Sequence, residues 1–544
     1  MKYLYKLTSE HLKSVAKLIV AIKERNGKPI NVNVVAASIE SFGIRDVDVK
    51  GDYGFEDIFD LSKYIFKSLD FKAFANLKNN KQRVAEFKNR RKLALTDYIT
   101  AKNTKRFIRD YSAGLIHLFP VFLQVVATVL FGFSLWTFSK FNNLQSTAVV
   151  LGVIMGLVVT GGFVQVVGKQ VSFYWYNKDF AMARHSIINI IRNGVLTMLI
   201  FFSFISIVNI VLPLYPFSFV LVTFTYAFFI GFLLLVLSPL YAIKQRWMLS
   251  LSVLIGTLVA LSLHFYTPLY VYFAHWIGIL TACLCSIIYL HFFLRYFLKK
   301  DKGLANVAPK AMLSVYRNFN YFFYGIFIFI FIFLDRILAW SSTLGRDIPY
   351  VVYYEKDYEV GMDLAILMFF LMGGVLEYSI SSYNRHMDFY QLKTKYFEYR
   401  EFNKKLMKMY VKHLRIFGFS ALCIAFFLYC IITKPWGYAA GFDETLSPLS
   451  IRVCIIGGVG YLFLTLGMLN VLYAYTLGQH RKPLKAIAVA LLCNLVVGIV
   501  LSRLVAYEYS VVGMLVGSVV FAALTTRDTY RFFKNLDYYY YAAY

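Results

Sequence analysis

The chain has 544 residues, of which 59% are hydrophobic and 16% are charged, with a formal net charge of +27 and a mean hydropathy of +0.58. Soluble globular chains are about 45–50% apolar, so this composition excludes an ordinary soluble domain and indicates a membrane protein with many spans. The basic excess does not indicate nucleic-acid binding, because the Lys and Arg residues lie between hydrophobic segments rather than on one soluble face.

The first stretch, residues 1–105, differs in composition from the rest of the chain. Ser9 precedes a stripe of apolar residues at helical spacing that ends at Asn26 and Gly27. Further short helical patterns follow, and residues 78–110 are rich in Lys and Arg, as is typical beside the anionic face of a membrane. We therefore expect a small, mostly helical N-terminal cytosolic domain followed by a basic juxtamembrane segment.

Hydrophobic segments of about 20 residues, each long enough to cross a bilayer core, follow this domain. Turn signals such as Pro213, Pro216 and Pro239 separate the closely spaced ones. The pattern predicts an all-α polytopic membrane protein with about 12 transmembrane helices. The predicted spans are 113–138, 144–168, 192–212, 217–239, 247–265, 269–293, 319–340, 361–384, 413–433, 451–476, 484–503 and 508–526.

The spans divide into two six-helix bundles, a 6+6 repeat. In each half the second span is followed by a long aromatic, amphipathic connection, residues 169–193 and 384–412, which we expect to form an interfacial helix. Paired bundles with a site between them are typical of transporters. The predicted units are a cytosolic domain over 1–105, a first bundle over 106–300, a basic cytoplasmic linker over 301–318, a second bundle over 319–527 and a cytoplasmic tail over 528–544.

The distribution of basic residues predicts the orientation in the membrane. Connections on one side of the predicted spans, and the tail, are rich in Lys and Arg, which favours the cytoplasm. Both termini should therefore be cytoplasmic, in a bacterial inner membrane. The connections on the other side carry few basic residues: Lys140, Arg346, Lys356, Lys434, Arg452 and Arg503.

Two charged residues stand side by side within the seventh predicted span. Asp335 and Arg336 follow the apolar run "YGIFIFIFIFL". A charge at mid-bilayer costs about 2.5–3.5 kcal/mol on insertion scales, so such residues are candidates for function. Adjacent helical residues point in different directions and cannot simply neutralise each other. Two interpretations stay open: a carboxylate in a cavity that binds a proton or cationic sugar, and headgroup snorkelling with a structural ion pair.

Three further polar residues within spans are candidates for a substrate or proton path. Glu377 follows a Gly-Gly pair in the eighth span, and Gln165 occupies the matching place in the second. Alternatively, Glu377 forms an ion pair with Arg385 or Arg415. Asn470 is the weakest of the three, because such amides usually join helices through hydrogen bonds.

An acidic and aromatic group surrounds the predicted start of the eighth span. Its position on the outer side would allow it to receive an amino-sugar polymer that leaves the cavity, and a solvated loop is the alternative interpretation. The group consists of Tyr354, Glu355, Asp357, Glu359 and Asp363.

Residues 320–400 carry three motifs, "FLDRILAW", "IPYVVYYEKDYEVGMDLAIL" and "LEYSISSYNRHMDFYQLKTKYFEY". With the two-bundle organisation of residues 105–540, they give a chain that resembles the multidrug/oligosaccharidyl-lipid/polysaccharide (MOP) exporter superfamily. Within it, the chain is most similar to the Pel exopolysaccharide transport protein family (PelG), whose product is part of biofilms. The N-terminal domain departs from the superfamily pattern, in which the first span lies close to the start.

The resemblance implies a function and partners. It implies an inner-membrane exporter or flippase that moves an exopolysaccharide or lipid-linked oligosaccharide by alternating access, in contact with membrane lipids. A cytosolic glycosyltransferase and other secretion-complex subunits would be its partners. We expect no cofactor, no metal, no nucleic acid and no catalytic residue.

Two other functions remain as alternatives. One is a cation-coupled small-molecule antiporter of the same superfamily. The other, less favoured, is a membrane glycosyltransferase or polymerase: Asp46-Val47-Asp48 is the only DxD in an N-terminal domain too short for a nucleotide-sugar fold. The chain contains no G-x-x-x-x-G-K-[ST] phosphate loop, so we do not expect an ATP-driven pump.

Overall fold

A computed structural model of the chain describes residues 9–26, 29, 31–79, 103–300, 311–344, 348–393, 399–434, 437–442 and 445–542. Helices dominate this part of the chain, and its only β-pairing is an isolated bridge between Phe133 and Phe138. The helices are α1 (Ser9–Asn26), α2 (Val32–Ser41), α3 (Asp46–Asp52), α4 (Ile58–Asn79), α5 (Asn103–Phe131), α6 (Asn143–Tyr176), α7 (Phe180–Val211), α8 (Phe217–Ala242), α9 (Arg246–Tyr266), α10 (Val271–Lys300), α11 (Ala311–Trp340), α12 (Lys356–Lys393), α13 (Tyr399–Thr433), α14 (Tyr438–Phe442), α15 (Pro448–Thr476), α16 (Arg481–Leu504), α17 (Ser510–Lys534) and α18 (Leu536–Ala542).

The first four helices form a domain with its own hydrophobic core. Val15 and Ile22 of α1, Ile39 of α2 and Leu61 of α4 are all buried in it. Asn31 caps α2, because its side chain accepts a hydrogen bond from the backbone N–H of Val34 at 2.9 Å. Helix α2 also contacts α18, so the domain lies against the helix that follows the last span.

Membrane-spanning helices make up most of the chain. Among the described residues, eleven helices are long and apolar enough to cross a membrane, and α5 adds a twelfth if its two bent segments count as one span. The prediction of an all-α protein with about 12 transmembrane helices is confirmed. We call the end at which α5 begins and α17 ends the basic end, and the other end the opposite end.

The two halves, α5–α10 and α11–α17, repeat the same packing. In the first half the second long helix packs on the fourth (α6 on α8) and the fifth on the sixth (α9 on α10). In the second half the equivalent pairs are α12 on α15 and α16 on α17. The halves meet at two equivalent crossings, where the first helix of one half contacts the second helix of the other: α5 with α12, and α11 with α6.

The two predicted interfacial helices are wrong. Residues 169–176 extend α6, and residues 180–193 belong to α7. A tight turn suffices between them, because Lys178 adopts a positive φ of 62° and Asp179 caps α7 through the N–H of Met182. The second predicted connection is likewise divided between the extended helices α12 and α13; its residues 394–398 lie outside the described part.

Two predicted boundaries also differ from the helix ends. Helix α11 begins at Ala311, inside the predicted linker 301–318, and residues 301–310 lie outside the described part. Helix α17 runs to Lys534, past the predicted end of the second bundle at 527. Both helices continue beyond their apolar stretch, because polar side chains at a helix end do not interrupt backbone hydrogen bonding.

Candidate functional site

A cluster of charged and hydroxyl side chains lies inside the second half, toward the opposite end of α11 and α12. We call Asp335, Arg336, Tyr358, Glu359 and Asp363 the acid cluster. Asp335 is 0% exposed, and Arg336 and Glu359 are each 4% exposed. The two adjacent charges of α11 are therefore buried within the second half rather than exposed, and the structural ion pair of the second interpretation is present between Arg336 and Glu359.

Asp335 is held by a chain of hydroxyl groups. The hydroxyl of Tyr358 donates a hydrogen bond to Oδ2 of Asp335 at 2.8 Å. Ser510, at the start of α17, donates in turn to the Tyr358 hydroxyl at 2.9 Å. Within the described residues, Oδ1 of Asp335 is buried without a hydrogen-bond partner. Such an atom retains a full capacity to accept a proton or contact a cation.

Arg336 joins two carboxylates of α12. Its Nη1 donates to Oε1 of Glu359, and its Nη2 lies 3.3 Å from Oδ1 of Asp363. The second oxygen of Glu359 is buried and has no hydrogen-bond partner among the described residues. With Asp335, three carboxyl groups thus surround one guanidinium, whose single charge balances only one of them when ionised.

Asp363 connects the cluster to the space between the halves. Glu359 and Asp363 are four residues apart and lie on one face of α12, yet their side chains are 5% and 63% exposed. Glu377, about four turns further along α12, is on nearly the same face and contacts the first half. Because that face points toward the first half, we place Asp363 beside the inter-half space. A lipid-facing carboxylate there would be costly.

Glu377 lies apart from the acid cluster, at the crossing of α12 with α5. Arg246 of α9 donates from Nη2 to Oε1 of Glu377. The alternative interpretation, an ion pair with a basic residue near the inner face, therefore matches the structure, although the partner is Arg246 and not one of the two examples considered. Arg385 pairs instead with Asp110 of α5, at 2.7 Å, and the reason is tertiary: α9 and α5 bring their charges to α12 from the first half.

Gln165 occupies the equivalent place at the crossing of α6 with α11. A Cβ added to Gly325 of α11 would lie 2.7 Å from Cγ of Gln165. Likewise, a Cβ added to Gly114 of α5 would lie 2.9 Å from Cβ of Glu377. The two residues that correspond in sequence, Gln165 and Glu377, therefore also occupy corresponding positions in the structure, one at each crossing between the halves. Both follow a Gly-Gly pair and face a glycine of the other half.

Asn470 joins helices within the second half. It is fully buried, accepts a hydrogen bond from the Tyr410 hydroxyl at 2.8 Å and donates one to Thr526 Oγ1 at 2.9 Å. Its side chain thus matches the alternative interpretation, an interhelical hydrogen bond.

The predicted outer group is split by the fold. Tyr354 packs its ring on Trp340, with centroids 5.4 Å apart, and its backbone N–H donates to Thr147 of α6. Glu355 and Asp357 are half-buried beside it at the start of α12. Glu359 and Asp363 join the acid cluster. Tyr358 and Ser510, which hold Asp335, were not among the candidates from the sequence, because nothing in the local pattern sets these hydroxyl groups apart.

The acid cluster is suited to holding a proton or a monovalent cation. Among the described residues, no three His, Cys, Asp or Glu side chains come together as a metal centre would require. Unpartnered carboxylate oxygens on Asp335 and Glu359, close to the exposed carboxylate of Asp363, are nevertheless ligands that a proton or a small cation could contact.

Comparison with known proteins identifies the fold. No family model matches the chain, and no curated protein sequence matches it. Solved structures do match. One is the outward-facing conformation of a multidrug resistance MATE family transporter of the MOP superfamily: it is 16% identical, with a TM-score of 0.53 over 79% of this chain and 96% of that one.

The chain has the MATE fold. Two further structures agree. A MOP superfamily transporter from Pyrococcus furiosus Vc1, described by a binding pocket of reverse polarity, is 16% identical with a TM-score of 0.56, over 79% of this chain and 96% of that one. An inward-facing MATE transporter is 13% identical with a TM-score of 0.53, over 78% and 98%. The fold likeness therefore does not distinguish the two states, and the fold confirms the MOP-like architecture expected from the sequence.

Proposed function

We propose that this protein is a membrane exporter that works by alternating access and is driven by a proton or monovalent cation bound at the acid cluster. One observation carries the coupling: Asp335 and Glu359 are buried with unpartnered oxygens, while Asp363, joined to them through Arg336, is exposed. A cation that enters from the inter-half space would release Arg336 from one carboxylate. It would thereby change the packing of α11 on α12.

We propose further that the exported substrate is an exopolysaccharide or a lipid-linked oligosaccharide, taken from a cytosolic glycosyltransferase. The support is the sequence resemblance of residues 320–400 to the Pel transport proteins. No covalent chemistry is required of the chain in this role, and the membrane glycosyltransferase stays the least favoured alternative.

The second candidate substrate is a small cationic molecule exchanged for the coupling ion. It is favoured by Asp363, an exposed carboxylate beside the inter-half space that would attract a cation. It also fits the neighbour described as a multidrug resistance transporter.

Deletion of the chain in its host separates the two substrates. Loss of a secreted glycan, with unchanged resistance to cationic dyes, supports the glycan. The reverse result supports the antiporter. If neither changes, and purified protein in proteoliposomes moves neither class, the export proposal fails.

The coupling is tested with Asp335→Asn and Asp363→Asn. Each should abolish export with membrane abundance unchanged. Glu508→Gln is the matched control, since Glu508 pairs with Arg452 at 2.8 Å outside the acid cluster. Equal loss of export in the control, or loss of abundance in the cluster variants alone, would assign the cluster a structural role.

A further inference from the structure

The crossing of α6 with α11 is built from glycine and apolar surface. Gly161 and Gly162 of α6 meet Gly325 and Phe322 of α11. A Cβ added to Gly162 would lie 2.6 Å from the Phe322 ring, so the helices are in direct contact. Small residues permit this approach, and packing of this kind is not weakened by water.

This crossing is also closed at both of its ends. At the basic end, Nδ2 of Asn318 donates to Oε1 of Gln170 at 3.2 Å. At the opposite end, the backbone N–H of Tyr354 donates to Thr147 Oγ1 at 3.0 Å. Besides the glycine contact, one hydrogen bond at each end thus joins α6 to α11 or to the connection that follows it.

The equivalent crossing of α5 with α12 has a different chemistry. Two ion pairs join the halves there: Asp110 with Arg385 at 2.7 Å, and Arg246 with Glu377. Their side chains are 9%, 29%, 17% and 28% exposed, so all four have some access to solvent. The place equivalent to Glu377 in α6 is the neutral Gln165. Charged side chains also lie at the α6–α11 crossing, where Lys169 is over the Tyr321 ring and Arg317 is over the Phe173 ring, but they have the same sign and form no ion pair across it among the described residues.

The contacts of α5 with α12 lie toward the basic end. The Phe107 ring packs on Tyr378 at 4.9 Å, and the Tyr111 hydroxyl donates to the Leu371 carbonyl at 3.1 Å. Beyond its bend α5 turns to its own half, where Gln124 donates to Thr257 of α9 at 2.9 Å. These contacts of α5 with α12 therefore lie near that end, while beyond the bend Val129 of α5 lies against Gly441 of α14 in the second half.

We propose that the two crossings have different mechanical roles: the α6–α11 crossing is the hinge between the halves, and the two α5–α12 ion pairs are a latch that closes the basic end. Partly solvated ion pairs separate into water at a small net cost, whereas the glycine contact of α6 with α11 contains, among the described residues, no ion pair that water could separate. The latch proposal rests on the proposed alternating access, but it can be tested without measuring transport.

Distances between spin labels test the latch in the full chain in nanodiscs. One label pair reports on the basic end, Ile108→Cys with Asn384→Cys, and another on the opposite end, Leu130→Cys with Tyr429→Cys. All four positions are exposed, and the six native cysteines are replaced in the background.

The latch variants are Asp110→Asn, Glu377→Gln and their combination. We expect the basic-end distance to lengthen and the opposite-end distance to shorten, since the halves rotate about the hinge. The ratio of the two states should change by up to about fivefold for each ion pair removed. The charge exchange of Asp110→Arg with Arg385→Asp should restore the distances of the unaltered pair.

The matched control is Arg452→Gln, which removes an ion pair that lies within the second half. Unchanged distances in the latch variants, or the same change in the control, would overturn the proposal. A basic end that lengthens without change at the opposite end would also overturn it, because that result describes local fraying rather than rotation about a hinge. Failure to find a transported substrate would count against the proposed function only. The distances between the spin labels would still test the latch.

Discussion

At the scale of single residues, the acid cluster contains a buried ion pair whose partners come from two helices. Arg336 and Glu359 are both nearly inaccessible, and Glu359 is the carboxylate to which Arg336 donates directly. Truncation of one partner leaves the other charged, buried and only partly compensated. Such a loss costs about 3–5 kcal/mol.

We therefore expect Glu359→Ala to lower the free energy of unfolding by about 3–5 kcal/mol. Denaturant titration of the purified protein in detergent measures it. Glu508→Ala is the matched control, because its partner Arg452 has a side chain that is 51% exposed, and it should cost about 1 kcal/mol or less. Equal costs for the two variants would mean that Arg336 is neutralised by Asp363 alone.

The sequence predicted part of this arrangement. The prediction that adjacent helical charges need separate partners is confirmed. Asp335 accepts a hydrogen bond from Tyr358, and Arg336 donates one to Glu359. The partners themselves were not predicted. The charged stretch 356–359 lowers the local hydropathy, so the predicted span began at 361, whereas α12 begins at Lys356 and includes Glu359 in its first turn.

At the scale of single helices, α5 is bent within its membrane-spanning part. Its segments meet at 64° between Ile116 and Phe119, and Pro120 lies immediately after. Proline has no N–H to donate to the carbonyl of Ile116. Ser250 of α9 donates to that carbonyl instead, at 3.1 Å, so α9 satisfies the group that the bend exposes.

A double-mutant cycle tests this compensation. Ser250→Ala alone should cost about 0.5–1.5 kcal/mol, because it removes a part-buried hydrogen bond to the Ile116 carbonyl. In the Pro120→Ala background, the new N–H reaches Ile116 and the same substitution should cost little. The free energies of unfolding of the four proteins give the coupling. Additive costs would show that Ser250 does not serve the bend.

The glycine crossing of α6 and α11 is the second element-scale feature with a measurable consequence. A Cβ on Gly325 would lie 2.7 Å from Gln165 Cγ, closer than real side chains approach. We expect Gly325→Ala to force the helices apart and to destabilise the protein by about 1–3 kcal/mol.

Gly168 of α6 offers the matched control, since a Cβ there would meet no atom within 4 Å. Gly168→Ala should be neutral or slightly stabilising, because alanine has the higher helix propensity. Thermal unfolding of both variants, side by side, makes the comparison. A neutral Gly325→Ala would show that the crossing is looser than the hinge requires.

At the scale of the whole molecule, hydropathy predicted the number of spans and their division into halves, but not how the halves meet. The Gly-Gly pairs before Gln165 and Glu377 are visible as a repeat in the sequence. Their partners Gly325 and Gly114, however, come from distant helices. Ion pairs such as Arg246 with Glu377 likewise join residues more than a hundred positions apart, and no local pattern encodes that separation.

The fold brings the two ends of the chain to one side of the membrane. Helix α2 of the N-terminal domain contacts α18, which follows the last span. An even number of spans requires the same result, so the contact agrees with counting the two bent segments of α5 as one span, which gives twelve among the described residues. The excess of Lys and Arg in the connections at the basic end then favours the cytoplasm for that side.

We expect green fluorescent protein fused to either terminus to fluoresce and alkaline phosphatase there to be inactive, because the first matures in the cytoplasm and the second outside it. The connection between α9 and α10, at Thr267–Tyr270, lies at the opposite end and is the internal control, where phosphatase should be active. Opposite signals at the two termini would contradict the contact of α2 with α18. Phosphatase activity at both would reverse the orientation and place the proposed latch on the outer side.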